Sequence, residues 1–227
     1  MFIKYHGHAF IEIQTVLNIL IDPFITGNPL CQKTPDDFNP DYILLTHGHR
    51  DHYGDTESIA RSSGCTVCAC AELSRYITSK NIPTKGFNTG GYFELDNIGI
   101  YVTEAKHSNS NPDGSYGGTA CGFVINSEGH SIYFAGDTSY YSDMKLISER
   151  FRINVAFLPI GGTYTMDIQD AVRASKLLGP HTTVPIHYNT FPAVSADPDE
   201  FSNILEQNGL KCIVLKPGNY MELKRAE

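Results

Sequence analysis

Three histidines and one aspartate stand close together in the segment Thr46 to His52, which reads THGHRDH. Imidazole and carboxylate groups are common ligands of zinc, iron and manganese. His47 and His49 are two residues apart, so in an extended segment their side chains point the same way and can share one metal. Asp51 and His52 follow on the next turn and can reach a neighbouring metal. The pattern predicts a metal site, because neither chance nor a loop of locally bonded imidazoles explains it well.

Three isolated histidine and aspartate residues stand where later predicted strands end. His107 follows the strand Ile98 to Glu104, Asp137 lies in AGDT after the strand Ser131 to Phe134, and His187 closes the strand Thr182 to Ile186. Reactive residues commonly lie on loops that a rigid scaffold positions. A single residue of this kind is often a capping or surface group, but a metal pair with open positions needs about six or seven protein ligands. These three residues are therefore candidates to complete the set.

The elements that must position these residues alternate between strands and helices. Apolar, β-branched and aromatic runs bounded by Gly, Asn, Pro or Asp predict the other strands at Ile3 to Tyr5, Ala9 to Gln14, Val16 to Ile21, Tyr42 to Leu45, Cys65 to Cys70, Tyr92 to Leu95, Ala120 to Asn126, Val155 to Leu158 and Cys212 to Leu215. Helical periodicity predicts helices at Asp55 to Ser63, Ala71 to Lys80, Asp167 to Leu178 and Asp197 to Asn208. The two helices that begin at Asp167 and Asp197 each have one apolar stripe that must lie on a sheet. Two sheets with helices on their outer faces predict an α/β sandwich in one domain, residues 1–227.

The composition limits the classes of partner. The 227 residues are 41% hydrophobic and carry a net charge of -8, with no long basic run. Such a chain can bury a core, but it lacks the positive surface that nucleic acid or an anionic membrane requires. Its aliphatic stretches are far shorter than the roughly 20 residues that span a bilayer, and no signal-peptide core follows Met1. We expect a cytoplasmic protein with a small-molecule substrate, and the sequence leaves open whether it forms homo-oligomers.

The six cysteines predict neither disulfides nor a structural metal site. Disulfide frameworks are typical of short secreted chains. The cluster Cys65, Cys68 and Cys70 has no second cysteine pair at the spacing that a four-ligand zinc site needs. We therefore expect reduced thiols in a buried strand.

The order of the candidate ligands resembles that of the metallo-β-lactamase superfamily, in which His-x-His-x-Asp-His is followed by a separate His, Asp and His. The segments GHAF, ILIDPFITGNP, DYILLTHGHRDH, AGDT, LPIGGTYTM and IHYNTFP are similar to one branch, the short metal-dependent hydrolases related to ascorbate-6-phosphate lactonase. The resemblance runs from His8 to about Pro217. It implies a four-layer αββα sandwich with a dinuclear site at the rim between the sheets.

The resemblance also implies a role for each ligand. One metal would be bound by His47, His49 and His107, the other by Asp51, His52 and His187, and Asp137 would bridge the two. Asp51 would also be catalytic, since it would steer the nucleophile. The ions would be zinc, with manganese or iron as alternatives.

A second group of residues would orient the ligands or line the substrate pocket, as metal-bound imidazoles generally require. The group consists of His8, Asp22, Thr46, Arg50, Lys106, Tyr188 and Asn189. Arg50 and Lys106 depart from the usual pattern of the branch, which implies a more cationic pocket here.

The implied activity is metal-dependent hydrolysis, in which a hydroxide held by two metals cleaves a small ester, lactone or phosphoester. A thioesterase or nuclease of the same superfamily and a non-catalytic metal-dependent binding module are the alternatives. The net charge of -8 weighs against a nuclease. The absence of a helical extension after Lys216 weighs against a glyoxalase-like thioesterase, and the complete ligand set weighs against a module that has lost catalysis.

Overall fold

The structure is a computed structural model that describes residues 1–224. The chain forms two compact units, each assembled from segments that are separated in sequence. Unit 1 comprises Met1–Thr89, Ser108–Ala120 and Lys216–Lys224, and unit 2 comprises Gly90–His107 and Cys121–Leu215. The assignment of residues 1–227 to one domain stays a prediction.

The described residues contain thirteen strands and six α-helices. In chain order the strands are β1 Phe2–Gly7, β2 Phe10–Gln14, β3 Asn18–Ile21, β4 Tyr42–Leu44, β5 Thr66–Cys70, β6 Thr84–Phe87, β7 Tyr92–Leu95, β8 Ile98–Glu104, β9 Cys121–Ser127, β10 His130–Phe134, β11 Val155–Pro159, β12 Thr182–Ile186 and β13 Tyr220–Glu222. The helices are α1 Arg50–Tyr53, α2 Thr56–Ser63, α3 Ala71–Thr78, α4 Met144–Arg150, α5 Ile168–Leu178 and α6 Pro198–Gln207. No helix within residues 1–224 has the length and apolar character needed to cross a membrane.

Unit 1 contains a seven-stranded mixed sheet in the order β13-β1-β2-β3-β4-β5-β6. β1 and β2 pair antiparallel, as do β2 and β3, whereas β3 to β6 are parallel neighbours. Parallel neighbours need crossover connections, which contain α2 between β4 and β5 and α3 between β5 and β6. Leu73 and Ile77 of α3 are fully buried where this helix packs on β5 and β6. Because β1, β3 and β4 run in the same direction, the residues that follow them lie at one edge of the sheet.

Unit 2 contains a six-stranded mixed sheet in the order β12-β11-β10-β9-β8-β7. β8, β9 and β10 pair antiparallel, and β10, β11 and β12 are parallel. Helices α5 and α6 begin at Asp167 and Asp197, whose carboxylates accept hydrogen bonds from backbone N–H groups of the first turn. Their apolar faces, with Ala171, Phe201 and Leu205, belong to the hydrophobic core of this unit. β8, β10 and β12 run in the same direction, so they also end at a common edge.

The predicted α/β class is confirmed, since both sheets are mixed and carry helices. The predicted strand Cys212 to Leu215 is wrong: Cys212 makes only an isolated bridge to Thr183. The N–H of Thr183 donates to Lys211 and its carbonyl accepts from Ile213. The next residue of β12 in that register is Pro185, which has no N–H to continue the ladder.

Candidate metal centre

The THGHRDH segment connects β4 to α1 in unit 1. His49 is the N-cap residue of α1, and Asp51 and His52 lie inside this short helix rather than on an open turn. Nε2 of His47 is 3.0 Å from Nδ1 of His49. Two ring nitrogens at this separation are close enough to contact one ion, because zinc–nitrogen bonds are about 2.0–2.1 Å long.

Asp22 holds the segment in place through three hydrogen bonds. Its Oδ1 accepts the N–H of Thr46 at 2.9 Å, and its Oδ2 accepts the Thr46 hydroxyl at 2.6 Å and Nδ1 of His52 at 2.8 Å. Since the Thr46 hydroxyl donates to Asp22, its oxygen accepts from Nδ1 of His47, which is 2.9 Å away. The network places a proton on Nδ1 of both histidines, so in the neutral form of each ring Nε2 carries the lone pair that a metal needs.

His8 lies next to these residues at the end of β1 and contacts Asp51. Nε2 of His8 is 3.1 Å from Oδ2 of Asp51, and the His8 side chain is fully buried. Its ring also packs edge-on against the ring of His52, with centroids 5.4 Å apart. His8 therefore fixes one oxygen of the Asp51 carboxylate.

The second group of candidate ligands lies in unit 2, at the shared edge where β8, β10 and β12 end. Oδ2 of Asp137 is 3.1 Å from Nε2 of His187 and 3.7 Å from Nε2 of His107. Asp137 and His187 are buried, and the side chain of His107 is 11% exposed. One carboxylate oxygen thus faces two imidazole nitrogens, an arrangement that suits a divalent cation.

Thr138 is a residue of this edge that the sequence analysis did not single out. Its hydroxyl accepts the N–H of Lys106 at 2.9 Å, and the carbonyl of Lys106 accepts the N–H of Ser139. The backbone before His107 is thereby tied to the loop of Asp137. The position of Thr138 in the AGDT segment, directly after a candidate ligand, was the available signal.

Several predicted site residues have unusual backbone conformations. His8, Asp22, His187 and Asn189 have φ values of 57°, 49°, 55° and 57°, and they account for four of the eight non-glycine residues with positive φ among those described. This region costs free energy for residues with a Cβ atom, and such strain is concentrated at functional sites. The strain marks the ends of β1, β3 and β12 as functional candidates.

The predicted pocket residues have different surroundings. Arg50 is exposed and lines a cavity of about 350 Å³ together with His49 and Ser110. Lys106 is exposed, with its ammonium group 5.1 Å from the centre of the Tyr141 ring.

Tyr188 is buried in unit 2, whereas Asn189 is exposed on its surface. Tyr188 is buried in the hydrophobic core of this unit, and burial raises its pKa to about 12, so the phenol stays protonated. Oδ1 of Asn189 accepts the N–H of Ala196 at 3.0 Å, which makes Asn189 a loop-fixing residue.

The donor atoms of unit 1 fit a divalent metal. Asp22, His47 and His52 are buried, with donor atoms within 4.8 Å of one another. Asp22 holds the imidazole of His52 directly and that of His47 through Thr46. His47 and His49 present two ring nitrogens 3.0 Å apart, and imidazoles oriented by a carboxylate are ligand chemistry that zinc, manganese and iron accept. The prediction that ligands of both groups share one pair of metals stays a prediction.

Comparison with known proteins agrees with these observations. Residues 17–188 match the family described as "Beta-lactamase superfamily domain". A "UPF0173 metal-dependent hydrolase" from Methanosarcina mazei is 42% identical over 225 residues, which cover 97% of this chain and 98% of the relative. A relative of the same description from Pyrococcus abyssi is 46% identical over 226 residues and is covered to 99%.

A solved structure shows the same fold. Igni18, described as a novel metallo hydrolase from Ignicoccus hospitalis, superposes with a TM-score of 0.90 at 39% sequence identity, over 98% of this chain and 99% of that chain. The predicted metallo-β-lactamase fold is thereby confirmed, whereas the relation to ascorbate-6-phosphate lactonase stays a prediction. The chain belongs to the β-lactamase superfamily and, within it, to the UPF0173 metal-dependent hydrolases.

Proposed function

We propose that the protein hydrolyses a small ester, lactone or phosphoester with two divalent metal ions. The proposed ligands are His47, His49 and His107 for one ion and Asp51, His52 and His187 for the other, with Asp137 as the bridge. The observation that carries the proposal is the buried network around Asp22, which sets the tautomers of two candidate ligands at once.

The Asp22 network supports a metal rather than a purely structural role. Structural imidazoles are satisfied by any local hydrogen bonds, whereas a ligand must present one nitrogen lone pair and donate from the other nitrogen. His47 and His52 both donate from Nδ1, one to Thr46 and the other to Asp22. Two rings that both donate from Nδ1 are expected when Nε2 of each binds a cation.

In unit 2, Asp137 supports the bridging assignment. A carboxylate can contact two cations, which a single imidazole nitrogen cannot do. Oδ2 of Asp137 lies between the Nε2 atoms of His187 and His107, which we assign to different ions. The ligand set favours zinc, with manganese or iron as alternatives.

When bound, a pair of divalent ions lowers the pKa of a water molecule and polarises the carbonyl or phosphoryl oxygen under attack. The residues of the chain orient the ligands and the attacking water. His8 holds Oδ2 of Asp51 at 3.1 Å, which directs the carboxylate and lets it steer the attacking water and accept its proton. Thr138 fixes the backbone near His107 and Asp137.

Arg50 supports a substrate that carries an anionic group. Its side chain lines the cavity of about 350 Å³ beside His49, a volume within the range of small-molecule sites. A guanidinium group binds carboxylates and phosphates in two-point geometry. Among the candidate substrates, this favours phosphoesters and lactones of acidic sugars over neutral esters.

The test is hydrolysis by metal-loaded and metal-free protein. Zinc- and manganese-loaded samples would be assayed on bis-p-nitrophenyl phosphate, a small lactone and an acyl thioester, before and after chelation. We expect at least one substrate to be cleaved only by the loaded protein, with no effect of a serine or cysteine alkylating agent. Activity that resists chelation would refute the proposal. Two bound metals without turnover of any probe would favour the non-catalytic module, and thioester cleavage alone would favour the thioesterase.

A further inference from the structure

The segment Ser108–Gly118, here called the 108–118 loop, belongs to unit 1 although it lies between two strands of the unit 2 sheet in sequence. It starts directly after the candidate ligand His107. It packs against the THGHRDH segment, which carries the candidate ligands of unit 1.

Asn109 makes the polar contacts of this packing. Its Oδ1 accepts the backbone N–H of Gly48 at 2.8 Å, and its Nδ2 donates to the carbonyl of Gly117 at 2.7 Å. Gly48 stands between His47 and His49 in the chain. The bond from Gly48 to Asn109 therefore restrains the backbone that carries both imidazoles.

The Gly117 carbonyl is held from a second side as well. The thiol of Cys70 donates to it at 2.9 Å, and Cys70 is buried at the end of β5. Asn109 is thus anchored through Gly117 to the sheet of unit 1. Movement of the ligand segment away from the 108–118 loop would break the Gly48 bond.

Steric contacts leave little room for adjustment. A Cβ atom added to Gly48 would lie 2.4 Å from the carbonyl oxygen of Ser110, and one added to Gly117 would lie 2.7 Å from Oδ1 of Asn109. Real Cβ atoms do not approach this closely, so the loop and the ligand segment meet backbone to backbone. The site of Asn109 uses a short side chain whose acceptor and donor are separate atoms, as in the asparagine amide.

We infer that Asn109 is a positioning residue for the metal ligands of unit 1: through its bond to Gly48 it fixes the backbone between His47 and His49. This inference rests on the proposed function. Residues that orient ligands without binding the metal commonly change metal affinity by about 10–100-fold when they are replaced. Asn109 is expected to act in the same way, through the backbone instead of through an imidazole.

The experiment compares two asparagines of the same loop. Asn109→Ala removes the bonds to Gly48, Gly117 and the Cys70 sulfur. Asn111→Ala is the matched control, because the Asn111 amide donates to Ser115 and Tyr116 inside the loop. Zinc affinity would be measured by competition with a chromophoric chelator. The absorption spectrum of the cobalt-loaded protein would report the ligand geometry, and urea unfolding of the metal-free proteins would report stability.

We expect Asn109→Ala to weaken metal binding about tenfold or more and to alter the cobalt spectrum. Asn111→Ala should stay within about twofold of the wild-type affinity while losing comparable stability. Asn109→Asp keeps the volume and the acceptor for Gly48, so it should fold and lose less affinity than the alanine variant. If Asn109→Ala does not fold, the metal affinity of Asn109→Asp still tests the inference.

Two results would overturn the inference alone. One is wild-type metal affinity in the Asn109 variants, and the other is an equal loss in the Asn109 and Asn111 variants, which would mean that loop stability and not ligand position is responsible. A wild-type protein that binds no metal would overturn the proposed function and this inference together.

Discussion

Asp22 and His52 form a fully buried pair in which Nδ1 of His52 donates to Oδ2 of Asp22 at 2.8 Å. The same carboxylate accepts both the N–H and the hydroxyl of Thr46. A single aspartate at the end of β3 thereby controls two positions of the ligand segment that follows β4. The parallel pairing of these strands is what brings them together.

Replacing Asp22 with Asn should weaken metal binding about 10–100-fold, because the amide cannot accept from all three donors. Breaking a buried network of this kind should also lower the free energy of unfolding by about 1–3 kcal/mol. Chelator competition and urea unfolding measure the two effects. Asp41→Asn is a matched control, since exposed Asp41 accepts one backbone N–H in the same unit. Equal metal affinity in both variants would mean that Asp22 does not orient the metal ligands.

Replacing His8 with Asn should lower kcat and weaken metal binding less than Asp22→Asn does, because His8 holds one oxygen of a single ligand. Asn tolerates the φ of 57° that His8 adopts, but it is too short to hold Asp51. The pH dependence of kcat should change as well, because Asp51 loses a hydrogen-bond partner. His181→Asn, at an exposed position, is the control. Unchanged kcat and an unchanged pH profile would mean that His8 has only a structural role.

Arg50 and Lys106 should differ in their effect on substrate affinity. Arg50→Ala should raise KM for an anionic substrate, more so at low ionic strength, where exposed charges are least screened. Lys106→Ala should have a smaller effect, because its ammonium group lies over the Tyr141 ring. The KM for a neutral substrate should not change in either variant. Equal KM effects of Arg50→Ala on charged and neutral substrates at all salt concentrations would argue against an anionic substrate.

The cysteine cluster should bind no metal, because burial disfavours the thiolate that a metal requires. Burial raises the pKa of the Cys65 and Cys70 thiols, and it raises the pKa of Cys68 from 9.0 to about 12. Replacing Cys65, Cys68 and Cys70 together with Ala should therefore cost stability without changing the metal count. Loss of one zinc per chain in elemental analysis would show that the cluster is a site.

The raised pKa of Cys68 also predicts a pH dependence. The folded state holds the thiol proton more tightly than the unfolded state, so its stabilising contribution is complete below pH 9 and is lost as the pH rises towards 12. Relative to Cys68→Val, the wild type should lose up to about 1.4 kcal/mol of unfolding free energy per pH unit in that window. Urea unfolding at pH 8 and pH 10.5 measures the difference. If the unfolding free energies of the wild type and Cys68→Val differed by the same amount at both pH values, the Cys68 thiol would not be buried as described.

The strands that carry the ligands could be predicted from sequence because their apolar runs end at isolated polar residues. His107, Asp137 and His187 each follow a strand at a place where the chain turns polar. Helix α1 was missed because its four residues include three charged or metal-ligating side chains and show no apolar periodicity.

Asn109 and Pro185 make contacts that local sequence patterns could not predict. The segment SNSNPDGSYGG is typical of a polar loop, and nothing in it indicates that one amide reaches Gly48, which lies 61 positions earlier. The strand expected at Cys212 does not form, because Pro185 of the neighbouring strand β12 has no N–H to continue the pairing. Both features depend on contacts between distant segments, which sequence periodicity does not encode.

The central claim depends most on Asp137, whose Oδ2 faces His187 and His107. Removing a bridging carboxylate should weaken both metal sites and leave two adjacent cations less compensated, whereas removing His187 should affect one site. The matched comparison is therefore elemental analysis of the wild type, His187→Ala and Asp137→Ala, with hydrolysis measured on the same samples.

We predict about two metals per chain in the wild type and about one in His187→Ala, and in Asp137→Ala one or fewer with hydrolysis reduced by several orders of magnitude. If Asp137→Ala kept two metals and near-wild-type turnover, Asp137 would be an ordinary residue at a strand end, and the bridged metal pair would be wrong.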